Sequence, residues 1–440
     1  MPEVRQRLAD AVLSSGGRLD DALPEATAAR VARCVEQLRK AGAGDGDLVL
    51  LIGLASDTLL VAAAACWSVG AAVWVTPREP EAIQADDASF VVTPSPAGER
   101  TVELAVERQM EAAGRIPRAL ALVHETSGST GEPKLARRSV DSLLAEHVGY
   151  REGLGLDVHD TVRIPVPVAH SFGCGVALAA LMSGCRVDLR PFTTAAGVAV
   201  DLDQGHATKL AVTPALLRLL TRTRRRGGSQ PQAILVGAGL VSDELDKACV
   251  ARFGVPITRG YGSSETGGIC IGPRGLGLPI PSVEIVRPEP ESRGELVVRT
   301  ATPVLGYAHE PARESRLWNT GDVVDRDASG QVWFIERKQG ALRANGKFVD
   351  VGPVQAVLGE VEGVTEVVFA VFPRGDCSEF EDVFALVAGP RVSREVVERA
   401  LHAIASHGFA PRLRIFDELP RTNLGKLDRS AITEWIKRDG

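Results

Sequence analysis

The segment LAVTPALLRLLTRTRRRGG (210–228) runs from an apolar stretch through a proline into leucines at helical spacing and ends on two glycines. That pattern predicts a strand, a helix opened by Pro214, and a helix stop. QAILVGAG (232–239), VSDELDKACVARFG (241–254) and VPITRGYG (255–262) continue as strand, helix and strand, with Ser242 as a cap and acids in the first helical turn. A βαβαβ run of this kind implies an α/β fold with a parallel sheet covered by helices.

The same texture extends upstream. ATAARVARCVEQLRKAG (26–42) reads as an amphipathic helix closed by Gly42, and DLVLLIG (47–53) and AAVWVTP (71–77) read as strands. TLLVAAAACWSVGAAVWV (58–75) is borderline in length for a membrane span and reads as a buried Ala-rich helix and a strand broken at Gly70. Beyond about residue 290 the texture turns β-rich, in GELVVRT (294–300) and QVWFIER (331–337). After Gly340 a smaller α+β unit is expected, with strands in 365–373 and 382–389 around a helix in 392–408.

Composition limits the function. The 440 residues are 45% hydrophobic and 24% charged, a balance that permits a large buried core in two or three lobes. A net charge of −6 offers no basic surplus for nucleic acid. The seven cysteines are scattered and never spaced CxxC, which predicts reduced thiols in the cytoplasm and no zinc site. The N-terminus, MPEVRQRLAD, has no apolar signal core, so neither secretion nor a membrane location is expected.

The strand ALALVHE (119–125) leads into TSGSTGEPK (126–134). Loops at strand ends are where open α/β folds bind ligands. Glycines let the backbone close around an anion, hydroxyls and amides donate to phosphate oxygens, and Lys134 adds a positive charge. The spacing is not that of a P-loop, because Glu132 and Pro133 separate Gly131 from the lysine and no hydroxyl follows it. Taken alone, such a loop is equally ordinary surface.

Three further motifs follow in order. HETSGSTGEPK (124–134), RGYGSSETGG (259–268), NTGDVVDRDASGQVWFIER (319–337) and LPRTNLGKLDR (419–429) together resemble the signature motifs of the acyl-adenylate-forming superfamily, which includes acyl- and aryl-CoA synthetases and peptide-synthetase adenylation domains. The resemblance implies a large N-terminal adenylation domain over 1–337, with a shortened N-terminal subdomain, and a small rotating C-terminal domain over 338–440. It also implies ATP with Mg²⁺. Thr126, Ser127, Gly128, Ser129, Thr130, Gly131 and Lys134 would surround phosphate, and Gly237, Ala238, Tyr261, Gly262 and Ser264 the remainder of the nucleotide, with Tyr261 against the adenine face. Glu265 would hold the metal, and an acidic ligand suits a hard cation. Asp322 would accept from the ribose hydroxyls, and Arg337 would be a second nucleotide contact.

Lys426 carries the catalytic expectation. When a carboxylate attacks the α-phosphorus of ATP, two anions are forced together, and a lysine between them offsets the charge where it peaks. On the acyl side, PVPVAHSFGCGVALAALMSGCRV (165–187) resembles the family segment whose aromatic or histidine borders the substrate carboxylate. His170 takes that place, followed by Ser171 and Phe172 where amino-acid-activating members carry an aspartate, which argues against an α-amino acid. Gly237, Gly260 and Gly267 resemble pocket-wall positions where a missing side chain leaves room for a flat ring or an acyl chain.

These features imply ATP-dependent activation of an aryl or short-to-medium acyl carboxylic acid, then transfer to the thiol of coenzyme A or of a carrier protein's phosphopantetheine. Gln339 at the expected hinge, and Pro353 and Gln355 in the segment after Gly346, depart from the family pattern in the part the resemblance assigns to the second step. An adenylate-former with a non-thiol acceptor, giving an amide or lactone, and a catalytically silent nucleotide-binding homologue are the alternatives. The Arg224–Arg226 run reads either as a solvated helix end or as a surface for an acidic carrier protein or a CoA phosphate.

Overall fold

A computed structural model describes residues 3–76, 88–94, 104–108, 116–126, 134–311, 313–337, 342–344, 347–349, 351–374, 377–404, 411–420, 431–432 and 434–435. The chain divides into two compact units, the first containing residues up to Thr126 and Lys134–Glu336, the second containing the chain from Arg337 onward.

The opening stretch of sequence forms what its pattern dictates. Strand Lys209–Val212 is followed by helix Pro214–Thr221, whose cap Thr213 accepts from the Leu216 amide. Strand Ala233–Val236, helix Asp243–Phe253 and strand Ile257–Ser263 come next. Ser242 caps that second helix by accepting from Leu245 N, and Gly254 ends it at φ +79°. The helix after Pro214 stops earlier than the sequence suggests. Thr221 is its last residue, and the arginines beyond it form a separate exposed turn in which Arg225 donates to the carbonyls of Gly227, Gly228 and Ser229.

These strands belong to an eight-stranded sheet in the order Arg18–Leu19, Arg186–Asp188, Thr161–Arg163, Lys209–Val212, Ala233–Val236, Ile257–Ser263, Gly267–Gly272, Leu278–Pro279. Its first six strands are parallel and the last two turn antiparallel. A second, six-stranded sheet has a parallel centre of Phe90–Pro94, Leu48–Leu51, Ala72–Val75 and Leu120–Thr126, with an antiparallel strand at each edge. One continuous core joins the two, with Val49, Val73 and Leu122 from the six-stranded sheet and Val162, Val187 and Leu235 from the eight-stranded one. Such burial on both faces explains the unbroken apolar strands.

The stretch 58–75 resolves into helix Ser56–Ser68 and strand Ala72–Val75, separated by Gly70 at φ +85°. No helix among the described residues is long and apolar enough to cross a membrane. Six cysteines, Cys34, Cys66, Cys174, Cys185, Cys249 and Cys270, are buried and free.

The β-rich region is a four-stranded sheet, Val283–Arg287, Ser292–Thr300, Leu317–Arg326 and Val332–Arg337, packed around Leu296, Val298, Trp318 and Val324. The second unit pairs strand Glu366–Arg374 antiparallel with Cys377–Ala388, which pairs parallel with Arg412–Phe416. Its helices Gly352–Gly359 and Arg394–Ile404 contribute Val354, Leu358 and Val397 to a core with Val367 and Ala385.

Candidate active site

The first phosphate-loop element is a hairpin. Strand Leu120–Thr126 pairs antiparallel with Lys134–Ser139, and Thr126 stands opposite Lys134. The loop between them thus joins two antiparallel strands, not the strand-to-helix crossover of an open α/β sheet. Ser127, Gly128, Ser129, Thr130 and Gly131 lie outside the described residues, as do Lys426, Gln339 and Gly346. Arg337 ends strand Val332–Arg337.

The second motif occupies strand Ile257–Ser263 and the turn into Gly267–Gly272, and from it side chains reach three other parts of the first unit. Tyr261 donates its hydroxyl to Oδ2 of Asp322 at 2.5 Å. Both residues stand at irregularities in their ladders. Register shifts between Tyr261 and Gly262, and again opposite Thr320–Asp322, where Leu296 alone faces three residues. Bulges re-aim side chains, and here they turn the phenol and the carboxylate toward each other. Gly321, at φ +76°, supplies the backbone conformation the second bulge needs. Thr320 locks it, donating to Leu296 O and accepting from Asp322 N. Asp322 is 2% exposed. Burial first, then the neighbouring Asp322 charge, raises the Tyr261 phenol well above its ordinary value, so it stays a donor at neutral pH.

Ser264 donates to Ser171 Oγ at 3.1 Å, which ties the nucleotide motif to the first residue of helix Ser171–Met182. His170 is the N-cap residue of that helix and is exposed; its carbonyl accepts from Cys174 N. The glycines expected to leave open room do something else. A Cβ on Gly237 would lie 2.4 Å from the ring of Phe172, and one on Gly260 would lie 3.1 Å from Leu235 Cδ1. The space at Gly237 is filled by the chain's own phenylalanine. Ala238 beside it holds φ +52°, a strained conformation for a residue with a Cβ.

Glu265 meets a residue the sequence motifs do not include. Tyr307 donates to Glu265 Oε1 at 2.6 Å, and its ring lies 5.2 Å beneath the Lys134 ammonium. No cluster of three or more metal-ligating side chains exists among the described residues. A single carboxylate suits Mg²⁺, which keeps water and substrate phosphates as most of its ligands.

Behind the motif lies a buried ion pair. Arg138 donates to Glu146 Oε2 at 3.0 Å, and Glu146 Oε1 accepts from Gly268 N at 2.8 Å. Both side chains are at most 5% exposed. A Cβ on Gly267 would lie 2.5 Å from Arg138 Nη1 and 2.6 Å from the Glu146 carboxyl carbon, and φ there is +78°. The glycine is thus required by the ion pair that anchors the strand. Gly262 is likewise closed against backbone, with Gly267 O 2.3 Å from where its Cβ would stand.

The sequence does not single out Tyr307, Arg138 or Glu146. One signal was available, because the chain has only three tyrosines. Tyr261 and Tyr307 hold two expected site carboxylates, and Tyr150 packs near Gly268 and Glu146.

Two mixed sheets that share one core, with the second and third motifs on strands Ile257–Ser263 and Leu317–Arg326, define an AMP-binding class of fold. The chain belongs to the AMP-binding enzyme family, whose pattern matches residues 75–308. It is 22% identical over 328 residues to a 2-succinylbenzoate–CoA ligase of Staphylococcus aureus, covering 71% of this chain and 66% of that one. It is 27% identical over 377 residues to an indoleacetate–CoA ligase of Aromatoleum aromaticum, covering 78% and 73%. An amide bond synthetase from Marinactinospora thermotolerans superimposes with a TM-score of 0.73 at 20% identity, over 97% of this chain and 99% of that one. An o-succinylbenzoate–CoA synthetase from Bacillus subtilis superimposes equally well, with a TM-score of 0.73 at 20% identity over 98% of each chain. The chain spans about two thirds of the length of the S. aureus ligases it matches.

Proposed function

We propose that the protein uses ATP to activate a carboxylic acid as its acyl-adenylate, releases pyrophosphate, and passes the acyl group to a thiol. The observation that carries this reading is the convergence of one strand end on three partners, Tyr261 with Asp322, Ser264 with Ser171, and Glu265 with Tyr307 beneath Lys134. Adenylation needs ribose, acyl and phosphate groups held around a single phosphorus, and proximity of that kind contributes much of the rate.

In this reading residues 1–337 form the adenylation domain, and 338–440 the small domain that brings Lys426 to the reacting carboxylate. Asp322 accepts from the ribose hydroxyls. Lys134 and the 127–131 loop neutralise phosphate charge. Glu265 takes Mg²⁺, which supplies charge neutralisation at the phosphates. His170, Ser171 and Phe172 border an aryl or short-to-medium acyl acid. The acceptor is coenzyme A or a carrier-protein phosphopantetheine, and the free, buried cysteines suit a cytoplasmic setting.

A second reading has a non-thiol acceptor, because an amide bond synthetase superimposes over 97% of this chain and Gln355 replaces an acidic residue of the family pattern. Acid-dependent exchange of labelled pyrophosphate into ATP, across benzoates, cinnamates, indole acids, fatty acids and amino acids, tests the first step. Single-turnover transfer to coenzyme A, a phosphopantetheinylated carrier or an amine then tests the acceptor. ATP binding without exchange for every acid would favour a silent nucleotide-binding protein.

A further inference from the structure

Tyr307 belongs to none of the signature stretches, yet it touches two of them at once. Its hydroxyl donates to Glu265 Oε1 at 2.6 Å and its ring lies 5.2 Å from the Lys134 ammonium. The residue is itself held firmly. Its backbone bridges Ala136 in the strand that Lys134 begins, Ala308 N donates to Leu135 O at 2.8 Å, and the ring meets Trp318 edge-on with centroids 6.1 Å apart. A phenol fixed by backbone pairing on one side and an aromatic contact on the other can orient a flexible carboxylate and a flexible ammonium together.

We propose that Tyr307 is a positioning residue that sets the charge geometry of the metal and phosphate end of the site. Its hydroxyl holds one oxygen of Glu265 so that the other faces the cation, and its ring face holds the Lys134 ammonium by cation–π attraction while leaving its N–H donors for phosphate. The inference rests on the roles proposed for Glu265 and Lys134.

The two contacts are separable. Tyr307→Phe keeps the ring, the Trp318 contact and the backbone pairing, and removes only the hydroxyl. Tyr307→Leu removes the ring as well. Mn²⁺ binding to the ATP complex, followed by electron paramagnetic resonance, and metal-free ATP binding, followed by calorimetry, are measured beside the Mg²⁺ midpoint of pyrophosphate exchange. Tyr307→Phe is expected to weaken Mn²⁺ and raise the Mg²⁺ midpoint about tenfold, the usual size for a residue that orients a metal ligand. Metal-free ATP binding and the acid KM should stay within twofold. Tyr307→Leu is expected to weaken metal-free ATP binding severalfold in addition.

Glu265→Gln separates the two levels of argument. If it shifts the metal dependence and Tyr307→Phe, folded by its melting curve, does not, the positioning role is overturned while the metal role survives. If neither variant shifts it, both are overturned. A uniform loss in every parameter for Tyr307→Phe would mark a merely structural tyrosine and also overturn the proposal. Adding Tyr307→Phe to Glu265→Gln should produce no further shift, because the hydroxyl acts only through that carboxylate.

Discussion

Tyr261 and Asp322 meet at 2.5 Å across two bulged strands, a phenol donating to a carboxylate that is 2% exposed. The contact places a residue of the second motif against a residue of the third, which no local pattern could have specified. Tyr261→Phe is expected to leave a buried acceptor short of a donor at a cost of about 1–3 kcal/mol, visible as a lower melting temperature. Asp322→Asn keeps the volume and an acceptor for the phenol while removing the charge. Its expected effect is a rise of about tenfold in the KM for ATP, worth about 1.4 kcal/mol, with little change in the acid KM. Equal changes in both constants would remove Asp322 from the ribose role.

Lys426→Ala is expected to lower acid-dependent pyrophosphate exchange by about a hundredfold to a thousandfold, the scale of removing one preorganised donor from a transition state. ATP binding and the reaction of a supplied acyl-adenylate with thiol should persist. Comparable loss of both half-reactions, measured separately by exchange and by single-turnover transfer, would show that the lysine does not act on adenylation alone.

Much of this was legible because strand and helix periods are local. Pro214, Ser242 and Gly254 occupy the helix ends their chemistry predicts, and the Ala-rich stretch breaks at Gly70 as a positive-φ residue requires. Less was legible where long-range pairing decides the outcome. The hairpin of Leu120–Thr126 with Lys134–Ser139 follows from register, and the sequence alone suggested only a loop at a sheet edge. The motif pattern suggests open wall at the glycines, but Gly237 admits Phe172 and Gly267 admits the Arg138 and Glu146 pair. A glycine announces close approach without saying by what. Tyr307 escaped notice because a lone tyrosine becomes meaningful only through partners 42 residues and more away in the chain.

His124 makes a pH prediction. It is 2% exposed, and neither ring nitrogen has a hydrogen-bond partner among the described residues. Burial first, then the charges of Arg138 and His170, push its imidazole from 6.5 down to about 3. In the unfolded chain it protonates near 6.5, so below that value the unfolded state takes up a proton that the folded state refuses. The stability is complete above pH 6.5 and is lost as pH falls toward 3, by about 1.4 kcal/mol at pH 5.5. His124→Phe removes this term and an unsatisfied buried group together. The variant is expected to melt higher than the wild type, by a margin that widens from pH 7.5 to 5.5. A constant margin across that range would show that His124 titrates normally in the folded protein.

Phe172 and Gly237 are proposed to set how large an acid the pocket admits. A Cβ at Gly237 would stand 2.4 Å from the Phe172 ring, so the two positions compete for one volume. Gly237→Ala must push the ring aside, and only the flexible ring, not backbone, stands in the way. If that ring borders the acid, its displacement narrows the pocket, and the KM for the preferred acid should rise about tenfold, with the KM for ATP nearly unchanged. Phe172→Ala acts in the opposite sense, opening the volume over Gly237, and should shift preference by about tenfold or more toward a bulkier acid of the same class. The Gly237→Ala and Phe172→Ala pair should also couple, because the methyl group no longer meets a ring. Competition among paired small and large acids in pyrophosphate exchange reads both effects. An unchanged acid preference in Phe172→Ala, together with a raised KM for ATP, would assign the ring to the nucleotide and leave the acid pocket to be sought beyond His170.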